Sequence, residues 1–422
     1  MHLYDVPLIF ALVGLILYVV LAGADFGAGF WQLAAGRGER GARIREHAHA
    51  SMAPVWEANH VWLVFILVIA WTCYPEAFAS IASTLSIPLF IAAIGIVFRG
   101  ASYALRAGTS QRRELRVIDT VFAVSSVLTP FALGTVIGAI ASGRVPVGNA
   151  AGDAWTSWTG TTSLAIGVLA VVTSAYVAAV YLAADAARNG DAEMEEAFRR
   201  RALGTGLVAG AVAVAGLVVL RDDVRSLYDE LVSGDGLPAL IVSALAGIGT
   251  LALVSRRRYE WARYSAALAV AAIVAGWALA QSPVLLPGLT VEQAAASHDT
   301  LVAVVVAVLA GALVLFPSLA LLFTLTLRGS LGGGHGGADG AAAAAAPGPI
   351  RALSASRNGL LLRLAGAFGV LGVGFLTFAD AGWAHAIGVP CLFLFAAFGF
   401  RLAVPLDEPE EEARESVAAE QP

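Results

Sequence analysis

The sequence predicts an all-α polytopic membrane protein, in which a nine-helix body is followed by an extra C-terminal two-helix hairpin. Composition is the first reason: only 14% of the 422 residues are charged and 58% are hydrophobic, whereas about a quarter of a soluble domain is charged. The second reason is a series of apolar segments that reach the ~20 residues a helix needs to cross a bilayer. The third is that no alternation of polar and apolar residues recurs, which leaves helices as the spanning element.

Eleven apolar segments are predicted to cross the membrane in succession. They cover residues 6–34, 51–73, 76–106, 117–141, 159–187, 202–220, 237–255, 262–282, 299–327, 359–379 and 384–404. Several are longer than a bilayer requires, which indicates tilt or extension beyond the membrane. Their content of glycine, alanine, serine and threonine is typical of membrane helices that pack closely.

A low-complexity segment, GGGHGGADGAAAAAAPGP, divides the chain into domains. Such glycine-rich composition cannot build a packed core, so residues 329–358 are predicted to be a flexible cytoplasmic linker. The linker separates a membrane domain over 1–328 from the hairpin over 359–404. An acidic cytoplasmic tail over 405–422 follows.

The distribution of arginine predicts the orientation of the spans. Nineteen arginines lie in the connections on one side of the membrane: Arg37, Arg40, Arg43, Arg45, Arg106, Arg112, Arg113, Arg116, Arg188, Arg199, Arg200, Arg201, Arg256, Arg257, Arg258, Arg263, Arg328, Arg351 and Arg357. Only three lie in the opposite connections: Arg144, Arg221 and Arg225. Because positive residues favour the cytoplasmic side, we expect the N-terminus outside and the C-terminus in the cytoplasm of a bacterial inner membrane.

Charge and cysteine content narrow the class of function further. The net charge of -5 comes partly from the acidic tail, and nothing in the sequence indicates a nucleic-acid partner. The two cysteines fit neither a metal-ligand spacing nor a disulfide framework, so no metal site is predicted. The first cytoplasmic connection, which holds His47 and His49, is expected to be a loop without a functional role.

Three ionisable residues are predicted to converge inside consecutive spans. From a rise of ~1.5 Å per residue, Asp25 lies roughly 13 Å, Glu57 about 9 Å and Arg99 about 10 Å from the inner ends of their helices. Asp119 lies nearer the same surface, at the start of the fourth span. An ionisable residue within a membrane is a candidate functional site and usually faces a partner or water.

Two interpretations of this cluster stay open. Arg99 pairs with one of the acids only to lock the helices, or the carboxylate left without a cation exchanges protons near neutral pH. Glu57 and His60 share a helix face at i, i+3, with Trp56 and Asn59 beside them, which predicts a hydrogen-bonded polar wall. A single intramembrane histidine is weak support for a heme or metal ligand.

Three motifs resemble those of subunit II of the cytochrome bd-type quinol oxidases. The most specific is SMAPVWEANHVWL over 51–63, similar to the family's S-I-x-P-x-W-[DE]-x-N-x-V-W-L. The segment GADFGAG over 23–29 resembles the glycine-rich G-F-D-x-G-x-G of the family's helix 1, and Phe98-Arg99 resembles the end of helix 3. The resemblance covers about residues 5–328.

The resemblance implies nine helices in two four-helix bundles plus one peripheral helix. It implies that hemes b and d and the quinol-binding loop belong to a partner, subunit I, which oxidises quinol and reduces oxygen to water. No cofactor is then expected in this chain, while a bound quinone or lipid and a small accessory subunit stay open. Subunit II of the family is implicated in bringing protons from the cytoplasm, and the matching positions here are Asp25, Glu57, Arg99 and Asp119.

Two other classes of function remain as alternatives. A secondary transporter would use the cluster of Asp25, Glu57 and Arg99 as its substrate site, although transporter sites lie near the midplane and this cluster lies nearer the inner face. A purely structural or assembly partner of another membrane enzyme would use the same residues only to hold its helices together.

Overall fold

The computed structural model describes residues 2–52, 56–108, 112–327, 364–368, 371 and 382–403. The chain forms two compact units, Met1–Leu321 and Leu322–Pro422.

Within the described residues, thirteen helices begin in the first unit. They are α1 (Asp5–Leu33), α2 (Glu39–Met52), α3 (Trp56–Cys73), α4 (Pro75–Thr84), α5 (Ser86–Gly108), α6 (Arg112–Ala141), α7 (Thr161–Arg188), α8 (Ala192–Asp223), α9 (Arg225–Ser233), α10 (Leu237–Ser255), α11 (Tyr259–Gln281), α12 (Val291–Ala294) and α13 (His298–Leu327). A short antiparallel hairpin of β1 (Val284–Leu286) and β2 (Leu289–Thr290) lies between α11 and α12.

The prediction of an all-α polytopic membrane protein is confirmed. Eight of the described helices are long and apolar enough to cross a membrane, and the count reaches nine if the bent pair α3–α4 forms one span. The arrangement as two four-helix bundles with one peripheral helix stays a prediction.

Helix α7 is the packing centre of the first unit, because it contacts α1, α2, α6, α8 and α11. Its C-terminal half is buried: Ala178, Ala179 and Val180 each have 0% of their surface exposed. Small side chains allow neighbouring helix backbones to approach closely, and this packing holds helices together where lipid removes the hydrophobic driving force.

The sequence prediction of one span over 76–106 is wrong at its start. Two helices occupy that range, and α3 and α4 meet at a bend of 120°. The bend follows from Pro75, which has no N–H to continue α3 and instead occupies the first turn of α4. The chain breaks again at Leu85, so the span itself is α5 and begins at Ser86.

The expectation of a loop between the first two spans is also wrong, since Glu39–Met52 forms helix α2. Ile44 and Ala48, four residues apart, are 1% and 0% exposed and belong to the hydrophobic cluster around α7. This spacing is typical of an amphipathic helix. An ion pair of 2.8 Å between Arg43 and Asp191 holds α2 to the start of α8.

Helix α8 begins ten residues before the predicted span 202–220. Its N-cap is Asp191, whose side chain accepts a hydrogen bond from the backbone N–H of Met194. The added turns are polar, which is why hydropathy does not reveal them. An N-cap of this kind satisfies a backbone donor that no helical carbonyl can reach.

In the second unit, α14 (Gly382–Ala403) lies close to the predicted span 384–404. The rings of Phe368 and Phe398 stack with their centroids 5.8 Å apart. The predicted linker over 329–358 and the acidic tail over 405–422 lie outside the described residues. The predicted domain division therefore stays a prediction.

Candidate functional site

One buried ion pair joins the first predicted span to the third. Oδ1 of Asp25 on α1 lies 2.6 Å from Nη2 of Arg99 on α5, and each side chain is 2% exposed. Arg99 is the largest of the nearly fully buried side chains among the described residues. Two charges remain tolerable away from water only when they compensate each other at close range and their other hydrogen-bonding atoms find partners.

The remaining contacts of Arg99 come from aromatic rings and from α6. Its Nη1 donates a hydrogen bond to Oγ of Ser126, which donates in turn to the carbonyl oxygen of Phe122 at 2.6 Å. The guanidinium carbon lies 4.8 Å from the ring centre of Phe26 and 4.3 Å from that of Phe122. Since aromatic faces attract cations, Arg99 binds α1, α5 and α6 into one polar centre.

The glycine-rich segment of α1 is explained by close contacts on two sides of that helix. A Cβ atom at Gly29 would collide with Oγ of Ser126 and lie 3.2 Å from Nη1 of Arg99. A Cβ atom at Gly27 would collide with the backbone carbonyl of Ser174 on α7. The segment GADFGAG therefore makes room for the ion pair on one side and for α7 on the other.

Two tyrosines that the sequence analysis missed enlarge this polar centre. The buried hydroxyl of Tyr103, four residues after Arg99 on α5, lies within electrostatic range of the carboxylate of Asp25. Tyr18, seven residues before Asp25 on α1, is 5% exposed and lies within electrostatic range of both charges. Spacings of four and seven residues place each tyrosine on the same helix face as its charged neighbour, and this spacing could have identified them.

On α3, the amide of Asn59 is 1% exposed. Leu63 and Ile66 occupy the same helix face and pack against the cluster that contains Tyr18 and Phe26 of α1. Asn59 therefore lies on the side of α3 that faces α1. Buried amides need hydrogen-bonding partners, which makes Asn59 a candidate member of the polar centre.

Other members of the predicted polar wall are less fully described. The side chains of Trp56 and Glu57 lie outside the described residues, although their backbones form the start of α3. His60 is partly buried on the same helix. The meeting of Glu57 with Asp25 and Arg99 therefore stays a prediction.

Asp119 takes part in a second, more exposed cluster. It pairs with Nη1 of Arg106, whose Nη2 lies 3.4 Å from Oε2 of Glu46 on α2. The exposed fractions of the three side chains are 23% for Arg106, 28% for Asp119 and 72% for Glu46. Arg106 lies seven residues after Arg99, or about 10 Å further along α5, so Asp119 stands about two helical turns from the buried pair.

This combination of apolar helices around a buried ion pair defines a polytopic membrane protein with a polar centre in its first few helices. A sequence model of the cytochrome bd terminal oxidase subunit II family matches residues 3–326. The chain therefore belongs to that family. The family and the apolar helices together make it a polytopic protein of a bacterial inner membrane.

Individual relatives support the same assignment. The chain is 28% identical over 132 residues to the cytochrome bd ubiquinol oxidase subunit 2 of Bacillus subtilis (strain 168), a stretch covering 31% of this chain and 38% of the relative. It is 25% identical over 134 residues to the cytochrome bd-I ubiquinol oxidase subunit 2 of Escherichia coli (strain K12), covering 31% of this chain and 35% of the relative. Each alignment thus spans less than two thirds of the relative.

A solved structure extends the likeness to most of the chain. A chain of the bd oxidase from Geobacillus thermodenitrificans superposes with a TM-score of 0.64 and 26% sequence identity. The superposition covers 78% of this chain and 99% of the other. The likeness favours the oxidase interpretation over that of a secondary transporter.

Proposed function

We propose that this chain is subunit II of a quinol:oxygen oxidoreductase complex, in which a partner subunit I oxidises quinol and reduces oxygen to water. The family match over residues 3–326 is the observation that carries this proposal. The reacting groups of such a complex are hemes b and d, which we assign to subunit I. Heme iron is held by His, Cys, Met or Tyr side chains, and the proposal assigns those ligands to subunit I.

We further propose that this chain supplies a proton path from the cytoplasm. Reduction of oxygen to water consumes protons, and carboxylates inside the membrane can pass them on. Polar side chains here run from the exposed Glu46 through Arg106 and Asp119 to the buried Asp25. In this proposal Asp25 and Glu57 carry protons or hold waters that do, while Arg99 sets the charge of the centre.

The direction of this path follows from the proposed topology. The exposed cluster of Arg106, Asp119 and Glu46 lies at the end of α5 where the arginine-rich connections are found. The positive-inside rule places that end in the cytoplasm. Reporter fusions to residues 37–45 test the topology, and a periplasmic location for this segment would contradict it.

The proton path is tested in the complex purified with its native partners. We expect Glu57→Gln to lower quinol-driven oxygen consumption by at least ~10-fold, because positioned proton-transfer groups contribute about 10²–10⁴-fold. Glu57→Asp retains a titratable group and should have a smaller effect. His60→Ala on the same helix should leave the reduced heme spectrum unchanged, because the hemes are assigned to subunit I.

Two outcomes would contradict these proposals. Full turnover by Glu57→Gln with an unchanged heme spectrum would refute its part in the proton path. A purified complex without heme absorption would refute the assignment to a quinol:oxygen oxidoreductase.

A further inference from the structure

Helix α2 brings a histidine to the polar face of α5. The imidazole of His49 stacks on the ring of Tyr103, with centroids 5.3 Å apart and planes inclined by 25°. The ring of Tyr103 also meets Phe122 edge-on, with centroids 5.1 Å apart. His49 is partly buried, and its ring lies against the tyrosine whose hydroxyl is within electrostatic range of Asp25.

A small cavity lies among these groups. Its volume of about 10 Å³ is close to the smallest that holds a single water molecule. The lining includes His49, Tyr103, Arg106, Asp119, Ser102 and Gln32. These residues come from α1, α2, α5 and α6, and their side chains offer enough donors and acceptors to hold one water in place.

The cavity lies between the exposed and the buried ion pairs. On its outer side, Asp119 and Glu46 pair with Arg106 and are 28% and 72% exposed. On its inner side, the hydroxyl of Tyr103 lies within electrostatic range of Asp25, which is 2% exposed. The cavity that His49 lines therefore adjoins both the exposed pair of Arg106 and Asp119 and the tyrosine beside the buried pair.

We propose that His49 is the relay through which protons pass from the cluster of Asp119 and Glu46 to Tyr103 and Asp25. The imidazole accepts a proton on one ring nitrogen and releases a proton from the other, by way of a water in the cavity. No electron moves and no covalent bond other than N–H and O–H changes. This inference rests on the proposed function, and it adds a residue that the proposed proton path does not contain.

The electrostatic surroundings suit a relay. Burial and the positive charge of Arg106 lower the pKa of His49, while Glu46 and Asp119 oppose that shift. The groups that face the ring are therefore Arg106 and Tyr103 from α5, Asp119 from α6 and Glu46 from its own helix. A histidine whose pKa lies below its ordinary value of about 6.5 is neutral at pH 7 and gives up an added proton readily.

The chain offers a matched control on the same helix. His47 lies two residues earlier, and its Nε2 is within hydrogen-bond distance, 3.0 Å, of the carbonyl oxygen of Leu182. Its ring is 5.5 Å from that of Phe198, on the side of α2 away from the small cavity. Substitution of His47 therefore changes a histidine of the same helix that does not line the small cavity.

The test measures quinol-driven oxygen consumption by the purified complex carrying His49→Ala, with and without added imidazole. We expect turnover to fall by roughly 10-fold, the heme spectrum to persist, and imidazole to restore part of the lost rate. His47→Ala should retain turnover and should not respond to imidazole. His49→Gln, which keeps a hydrogen-bonding side chain, should assemble, turn over slowly and lose any inflection in its pH–rate profile below pH ~6.5.

Several results of this assay would contradict the proposed role of His49. Wild-type turnover in His49→Ala or His49→Gln, or a slow His49→Ala enzyme that imidazole does not restore, would overturn the relay. If Glu57→Gln is slow in the same assay, the proposed proton path survives that result and only His49 is removed from it. If Glu57→Gln and both His49 variants all turn over normally, the proton path is wrong as well.

Discussion

Two arginines on one face of α5 make ion pairs that differ in their exposure to solvent. Arg99 and Asp25 are each 2% exposed, whereas Arg106 is 23% and its partner Asp119 is 28% exposed. The two arginines are seven residues apart, so about two helical turns separate the two pairs. The buried pair of Arg99 and Asp25 is called the dry pair below, and the partly exposed pair of Arg106 and Asp119 is called the wet pair. The same kind of ion pair therefore occurs in two settings: the dry pair joins α1 to α5, and the wet pair borders the small cavity.

The physical reason is desolvation. Moving a charge out of water costs several kcal/mol, and only a close partner of opposite charge offsets that cost. A partly exposed pair avoids most of the cost and contributes little, typically about 0–1 kcal/mol. Substitutions at Arg99 and Arg106 should consequently differ sharply, and this difference can be measured.

The largest effect is expected at the dry pair. Arg99→Leu leaves the carboxylate of Asp25 buried without a cation, which should destabilise the folded chain by about 3–5 kcal/mol. The double variant Asp25→Leu with Arg99→Leu removes both charges and should recover much of that loss. The measurement is the thermal half-life of the heme spectrum in the purified complex, and equal half-lives for the single and double variants would contradict the argument.

An intermediate effect is expected at the close contact between α1 and α7. Gly27→Ala places a methyl group against the backbone carbonyl of Ser174, and overpacking of this kind costs about 1–3 kcal/mol. Gly210→Ala on α8 is the control, because a Cβ atom there meets nothing within 4 Å. The same half-life assay should show a loss for Gly27→Ala only, and an equally stable Gly27→Ala complex would show that α1 can move away from α7 without penalty.

The smallest effect on stability is expected at the wet pair. Arg106→Gln should change stability by less than about 1 kcal/mol. It also removes one of the causes that lower the pKa of His49, so any inflection that His49 gives the pH–rate profile should move to higher pH. A half-life as short as that of Arg99→Leu would show that the two pairs are equivalent.

Much of the site was predictable because depth in the membrane follows from sequence position. Counting residues from the ends of the spans placed Asp25 and Arg99 at similar depth, and the structure joins them. The same count placed Asp119 nearer the surface, where it pairs with Arg106 instead. The role of these residues in proton transfer stays a prediction, as does the position of the Glu57 side chain.

Other features of the fold could not be predicted from hydropathy, because hydropathy averages over many residues. Helix α2 is polar on most of its surface, and only Ile44 and Ala48 show the periodicity of its buried face. The break at Leu85 divides a run whose two halves, α4 and α5, are both apolar, so hydropathy predicts a single span over 76–106. The sequence predicts a loop at His49 and therefore no role for this residue, whereas helix α2 places its imidazole against the ring of Tyr103.

The sequence by itself determined that this chain crosses a membrane many times and carries compensating charges within it. Backbone polar groups within hydrocarbon need hydrogen bonds inside the protein, which a helix provides, and a charge buried there needs a partner of opposite charge. Only the tertiary structure decided which charges pair, which tyrosines lie beside them and that His49 lines the small cavity next to Tyr103 and Arg106. Those choices depend on how each helix is rotated about its axis and on where small residues such as Gly27 and Gly29 allow close approach, and neither is encoded in the hydropathy of a single segment.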